Sequence, residues 1–341
     1  MQNRQGKAPG AEATVRVSTI MALPAVVRKL GANPAELLEE LGLTLDLFDD
    51  PDNLISLAAR GHLLEHCADR TGCPHLGLLI GQHGGLHSLG LIGLLAKLSP
   101  DVEAALSTVV NLFFLQARGA TASLSVKGGF ATFAYLSYER NISGVEQIGD
   151  GAVAVMFNIL RSLCGPQWQP ESACFAHEQP VDVKPYQNFF QTWLQFNAEQ
   201  FALVFPASWL KQPVLSADAD LLRVLRKETE KLTADQRHDF PEQVRLVLRR
   251  SIVAGKLKAE DIAVLFAMHP RTLDRRLAAF NVNYRELLDE VRFELARQLL
   301  SSTSLEVAQI AATLGYSRSS TFTRAFRRWS GATPSLWRMK Q

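Results

Sequence analysis

Apolar residues recur at helical spacing through the first third of the chain. Leu23, Val26, Val27 and Leu30 lie three and four apart, and Gly31 with Pro34 closes the run. Leu37, Leu38 and Leu41 repeat the pattern before Gly42. Residues 57–70 predict another helix, stopped by Gly72 and Pro74, and Pro100 with Asp101 opens a helix running through Leu115. The period then changes to two. Residues 121–127 alternate, Gly128-Gly129 turns, and 130–138 returns with Phe130, Phe133, Tyr135 and Tyr138, which predicts a hairpin. One aromatic-bearing face of that hairpin is core; the other either lines a cavity or meets a second module. Residues 147–164 read as a long helix ended by Gly165-Pro166. Residues 168–215 mix strand-like runs at 173–177 and 201–205 with a helix around 186–195. Residues 18–215 are therefore expected to form an α+β domain of ordinary size. Residues 1–17, polar with Gly, Pro, Gln and Lys, read as a flexible tail. A charged helix over 218–233, with Leu221, Leu222, Leu225 and Leu232 as its apolar positions, is the expected connector within a linker at 216–237.

From 238 to 341 the pattern is all helical and contains one unit twice. Ile262-Ala263 opens the first copy and Ile310-Ala311 the second. Each copy then turns into a second helix, where Leu273, Leu277 and Phe280 match Phe322, Phe326 and Trp329. On a helical wheel these fall on one side. Arg271, Asp274, Arg275 and Ala278 fall on the other in the first copy, and Ser319, Ser320, Thr323 and Arg324 in the second. A helix, a turn and an arginine-bearing second helix is the helix-turn-helix plan, whose second helix enters the major groove. Arginine pairs bidentately with guanine and carboxylates accept from cytosine; hydroxyls discriminate less, so the second copy is expected to be the less selective. Arg276, Arg327 and Arg328 lie near the edges of the two faces, where phosphates are expected. Between the copies, 284–300 lacks Gly and Pro and predicts a helix of roughly 25 Å, a spacer able to hold two reading helices about one DNA turn apart. Thr303 and Glu306 have the spacing of a capping box for the helix that follows.

Charge sharpens this division. The 341 residues carry a formal net charge of only +2, yet residues 241–341 hold 17 Lys and Arg against 9 Asp and Glu, and the first 240 hold 19 against 25. A basic module on an acidic body fits a polyanion-binding end. Four cysteines, Cys67, Cys73, Cys164 and Cys174, form no CxxC pair, so a reducing cytoplasm is expected. The start of the chain lacks a secretory pattern. The most apolar stretch, 86–98, is too short and too interrupted to span a bilayer.

The run Gly315-Tyr316-Ser317-Arg318-Ser319-Ser320-Thr321-Phe322-Thr323-Arg324-Ala325-Phe326-Arg327-Arg328-Trp329-Ser330-Gly331-Ala332-Thr333-Pro334-Ser335-Leu336-Trp337-Arg338 resembles the C-terminal signature of AraC/XylS-type transcription regulators. Residues 269–280 and Tyr284-Arg285-Glu286-Leu287-Leu288 match as well, so the resemblance covers about 238–338. It implies base-reading residues at Arg271, Thr272, Asp274 and Arg275, and at Ser319, Ser320, Thr323 and Arg324. Some members place a bulky aromatic where this chain has Arg271, which leaves the base preferred there open. More loosely, Gly90-Leu91-Ile92-Gly93 before Ser99-Pro100, the hairpin, Trp168-Gln169-Pro170, His177-Glu178-Gln179-Pro180 and Phe196-Asn197-Ala198-Glu199 are similar to the arabinose-binding-like sensor domain of a subgroup. That similarity implies an effector-sensing, dimerising domain without naming the effector.

Other chemistry is sparse. His62, His66, Cys67, Cys73 and His75 form one cluster with the i, i+4 spacing that can share zinc, but Leu63, Leu64 and Cys67 also continue an apolar stripe, and no metal is expected. His83 and His87 repeat the spacing beside glycines that interrupt a helix. There is no GxSxG and no phosphate-cradling glycine loop, so no catalytic residue and no cofactor is expected. Cys164 is either packing or a reactive thiol. Glu139, Arg140 and Glu146 face either a pocket or a solvated turn. The resulting expectation is a sequence-specific transcription regulator, not an enzyme. Its expected partners are double-stranded DNA, a small-molecule effector, RNA polymerase and a second copy of the chain. A regulator without a ligand, controlled by abundance or a protein partner, and an enzyme fused to a DNA-binding module are the two alternatives.

Overall fold

The computed structural model describes residues 13–117, 119–137, 142–234, 240–253, 258–266, 269–302 and 305–339. The chain divides into two compact units, 1–222 and 223–341.

The first unit contains strands β1 (Thr14–Arg16), β2 (Leu54–Ser56), β3 (Ala120–Lys127), β4 (Phe130–Ser137), β5 (Ser172–Cys174), β6 (Trp193–Gln195) and β7 (Phe201–Pro206). Its helices are α1 (Leu23–Lys29), α2 (Pro34–Glu39), α3 (Leu57–Thr71), α4 (Leu76–Gly81), α5 (Leu91–Lys97), α6 (Val102–Leu112), α7 (Val145–Cys164) and α8 (Lys184–Phe190). Five strands make one sheet in the order β3-β4-β7-β5-β6, antiparallel except for β5 with β6. The β3–β4 hairpin turns through Gly128 and Gly129, both at positive φ, as the Gly-Gly pair requires. This is the expected α+β domain.

Two expectations are corrected. Within the segment read as a tail, Thr14–Arg16 is a strand: it pairs with β2, and Val15 and Val17 are buried because each finds an apolar neighbour in the core. The helix expected to run to residue 195 stops at Phe190. Gln191 takes a left-handed φ of 51°, and Trp193–Gln195 leaves to pair in parallel with β5. Of the hairpin aromatics, Phe133 and Tyr135 are buried on the core face and Phe130 is exposed, while Tyr138, Glu139 and Arg140 lie outside the described residues.

Helix α7 organises this unit. It packs on α3, α4, α6, β4 and β7. Its approach to α4 is close enough to demand glycine: a Cβ on Gly77 would lie 2.0 Å from the Gln147 carbonyl oxygen, and one on Gly81 2.4 Å from that of Gly151. Helix α4 is apolar and only six residues long, so its unpaired end groups need partners. Helix α7 supplies them. Gln147 Oε1 accepts from the Gly77 amide at 2.7 Å, and Asn158 Nδ2 donates to the Gln82 and Gly84 carbonyls at 3.0 and 2.7 Å. A third polar residue of α7, Asp150, is buried between His177 and Tyr186. His177 Nε2 lies 2.8 Å from Asp150 Oδ1, and the Tyr186 hydroxyl donates to Oδ2 at 2.5 Å. His177 Nδ1 sits 2.7 Å from the Glu178 carbonyl, so both ring nitrogens face acceptors. Burial alone would push the His177 imidazole down, but hydrogen bonding and charge from Asp150, with the Glu178 carbonyl and Glu146, outweigh it and hold the group above its usual value.

The four cysteines are buried and free. Burial pushes the Cys67 thiol up to about 11 and that of Cys164 to about 12, the behaviour of packed rather than reactive thiols. His66 is held by Glu40 at 2.8 Å, and among the described residues no three His, Cys, Asp or Glu side chains are grouped as metal ligands.

Candidate nucleic-acid interface

Helix α9 (Ala219–Ala234) spans the division of the chain, and the second unit continues with α10 (Phe240–Val253), α11 (Ala259–Leu265), α12 (Pro270–Ala278), α13 (Tyr284–Ser302), α14 (Val307–Thr313), α15 (Ser319–Ser330) and α16 (Pro334–Met339). The α11–α12 and α14–α15 pairs are the two predicted helix-turn-helix units. Helix α13, roughly 28 Å long, packs on α14, α15 and α16 and on α10, which in turn packs on α11 and α12, so α10 and α13 together tie the two pairs into one module.

Each second helix is held by the face the sequence assigns to it. Leu273 and Leu277 of α12, and Phe322 and Phe326 of α15, are fully buried. Helix α12 begins with Pro270 at its first position, and His269 Nδ1 accepts from the Arg271 amide at 3.2 Å. Asn281, at φ 54°, and Gly331, at φ 78°, end α12 and α15 in the left-handed conformation. The start of α14 departs from expectation. Its cap is Glu306, not Thr303: Gln309 Oε1 accepts from the Glu306 amide at 2.9 Å, and Thr303 lies outside the described residues.

The opposite faces are open. Arg271, Asp274 and Arg275 are exposed and Thr272 half-buried; Ser319, Ser320 and Arg324 are exposed and Thr323 half-buried. Among the described residues no side-chain hydrogen bond or ion pair engages Arg271, Arg275 or Arg324. Thr323 Oγ1 donates to the Ser319 carbonyl at 2.9 Å. The three arginines expected at phosphates divide. Arg327 is exposed and without a side-chain partner among the described residues. Arg328 is held by Asp289 at 2.5 Å, and Arg276 lies over the Phe240 ring at 5.2 Å. Arg318, the residue before α15, is exposed and equally unengaged, and was missed by wheel reasoning because it precedes the helix. The remaining arginines of this region fasten the fold. Arg292 donates to the Leu314 carbonyl and covers Tyr316 at 4.5 Å; Arg338 donates to the carbonyls of Leu300 and Leu305. The basic balance of the module is thus divided between structure and surface.

The first unit has a partly open cavity of about 50 Å³ among α3, α6, α7 and the β3–β4 hairpin. Arg60 of α3 is part of its wall. It sits on the same stripe as Leu57, Leu64 and Cys67, all buried, and an arginine in an apolar stripe is the sequence signal that could have marked it.

Two helix-turn-helix units with outward polar faces, joined by one spacer helix, define the molecule as a DNA-binding protein. Comparison with known proteins gives the family. Residues 31–214 match the arabinose-binding N-terminal domain of the AraC transcription regulator, and 262–340 match a helix-turn-helix domain. The chain belongs to the AraC family of DNA-binding transcription regulators. It is 28% identical over 334 residues to the transcriptional regulator VirS of Mycobacterium tuberculosis, covering 95% of this chain and 96% of that one. It is 26% identical over 329 residues to the ornithine utilization regulator of Pseudomonas aeruginosa, with the same coverages. The crystal structure of the regulator CdpR from Pseudomonas aeruginosa aligns with 77% of this chain and 86% of its own at 24% identity and a TM-score of 0.41. Among the described residues no helix is long and apolar enough to cross a membrane.

Proposed function

We propose that this regulator responds to a small effector bound in its N-terminal unit and reads two adjacent major-groove segments per subunit. Arg271, Thr272, Asp274 and Arg275 read the first segment; Ser319, Ser320, Thr323 and Arg324 read the second. The observation that carries the reading is the matched pair Arg275 and Arg324, exposed on equivalent helices and free of side-chain partners among the described residues. Arg327 contacts phosphate and supplies affinity without sequence preference. Effector response is supported by the match of 31–214 to a sensor-type domain and by the apolar cavity with a buried arginine in its wall. The effector binds one arrangement of the protein better and shifts the population toward it. The protein acts as a homodimer, with RNA polymerase as its downstream partner.

Selection of bound sites from a random DNA library by the full chain tests the reading. The expected result is a motif with two elements about ten base pairs apart. No enriched motif, or a single element, would overturn it. With that motif in hand, Arg275→Ala is expected to weaken specific binding by about 1–3 kcal/mol and to relax preference at one base pair. Arg327→Ala is expected to weaken specific and random DNA alike and to reduce the salt slope by about one. Equal losses on both DNAs for both variants would remove the division between reading and anchoring.

A further inference from the structure

The cavity of the N-terminal unit has an unusual electrical character. Its walls are mostly apolar, with Phe133, Val155, Met156 and Ile159 among them. Into it projects Arg60, which is only 7% exposed. Among the described residues no ion pair or hydrogen bond reaches this guanidinium, and no carboxylate lines the cavity. Arg60 Nε, the Tyr135 hydroxyl and Thr19 Oγ1 are all enclosed without a hydrogen-bond partner. The remaining amide, Gln116, gives its Nε2 to Ser18 at 2.8 Å. A buried unpaired charge and two further orphaned polar atoms in one cavity each cost free energy that the apolar walls do not return. Burial pushes the Arg60 guanidinium down and the Tyr135 phenol up, as expected of groups awaiting a partner.

We infer that this cavity is the effector site and that its effector is a small organic monocarboxylate with an apolar body, its carboxylate seated on Arg60, Tyr135 and Thr19. The inference deepens the effector-responsive reading above and rests on it. Each of the three groups can donate, and a carboxylate accepts several hydrogen bonds at once, bidentately from arginine. One guanidinium balances one negative charge, which favours a monoanion over a phosphate ester. An amino acid is disfavoured, since no acidic side chain waits for its ammonium group. The space holds about three to five water-sized groups. That matches a short aliphatic acid rather than a sugar, whose many hydroxyls would find too few partners on these walls.

The test uses the full chain and a ligand series: acetate, propionate and, as the upper limit of size, butyrate, with propionamide and propylamine as controls. Binding is read by calorimetry and thermal shift, and DNA affinity is measured in parallel. Saturable binding of at least one acid is expected, with no binding of the amide or the amine. Tyr135→Phe is expected to weaken acid binding roughly tenfold. Arg60→Met removes the buried charge while keeping most of the bulk. It is expected to leave the melting temperature equal or higher and to abolish acid binding; a variant that melts lower would mark Arg60 as a structural residue and overturn the assignment. Equal binding of amide and acid, or acid binding retained in Arg60→Met, would also overturn it. Two failures are separable. If acids do not bind but a neutral or cationic compound from a metabolite library binds and moves DNA affinity, the ligand class falls and the effector reading stands. If no compound binds, both fall.

Discussion

Asp150→Ala is expected to destabilise the N-terminal unit by roughly 3–5 kcal/mol, because it strips a buried charged pair of one member. The carboxylate is 1% exposed and its His177 partner 6% exposed, so water cannot replace it. The variant leaves the Tyr186 hydroxyl without its acceptor as well. Denaturant unfolding, followed through Trp168 packed against Phe157 and Phe205, reads the loss. The pH dependence supplies a second readout. The folded His177 is held above its usual value, so its contribution is fully present below the unfolded value of about 6.5 and is lost as pH rises through the raised folded value. In Asp150→Ala only burial and the weaker neighbours act on the ring. The folded value then drops below the unfolded one, and the sign of the slope reverses: stability falls as pH falls through that range. A loss under 1 kcal/mol, or an unchanged slope, would show that the trio is not coupled.

Phe326→Ala is expected to cost about 3–5 kcal/mol in the C-terminal unit. The ring is fully buried and packs against Phe322, Phe293 and Trp337, with centroids 5.8, 5.6 and 6.0 Å away. It joins α15 to both α13 and α16, through Phe293 and Trp337. Its loss frees α15 while Leu273 and Leu277 still hold α12. Footprinting on a selected site is therefore expected to lose protection over one element before the other. Simultaneous loss of both would mean that the two units unfold as one.

The duplication was legible because both copies bury the same positions. Leu273 and Leu277 against Phe322 and Phe326 is a periodic signal, and the structure buries all four. The capping of α14 was not legible from spacing, since Thr303-Glu306 and Glu306-Gln309 offer the same three-residue step, and only backbone direction chooses between them. The end of α8 escaped for a similar reason: Gln191 carries no obvious preference for positive φ, and the parallel pairing of Trp193–Gln195 is a long-range event. The same holds for the Asp150 trio. His177 and Tyr186 lie 27 and 36 residues further along, so no local pattern links them, although an aspartate inside an apolar helix is visible. Arg60 belongs with it, as a charge in a core stripe whose neighbours only the fold brings together.

The hydrogen bond from Thr323 to the Ser319 carbonyl bears on how binding sites drift. A hydroxyl whose hydrogen is already given to its own helix can only accept. In a complex of the proposed kind it meets the amino groups of adenine or cytosine favourably and sets lone pair against lone pair at the keto oxygens of guanine or thymine. Sites for this regulator would then exchange A with C at that position more freely than A with G. That one transversion would be tolerated while both transitions, A with G and C with T, are resisted, which departs from the usual order of substitution.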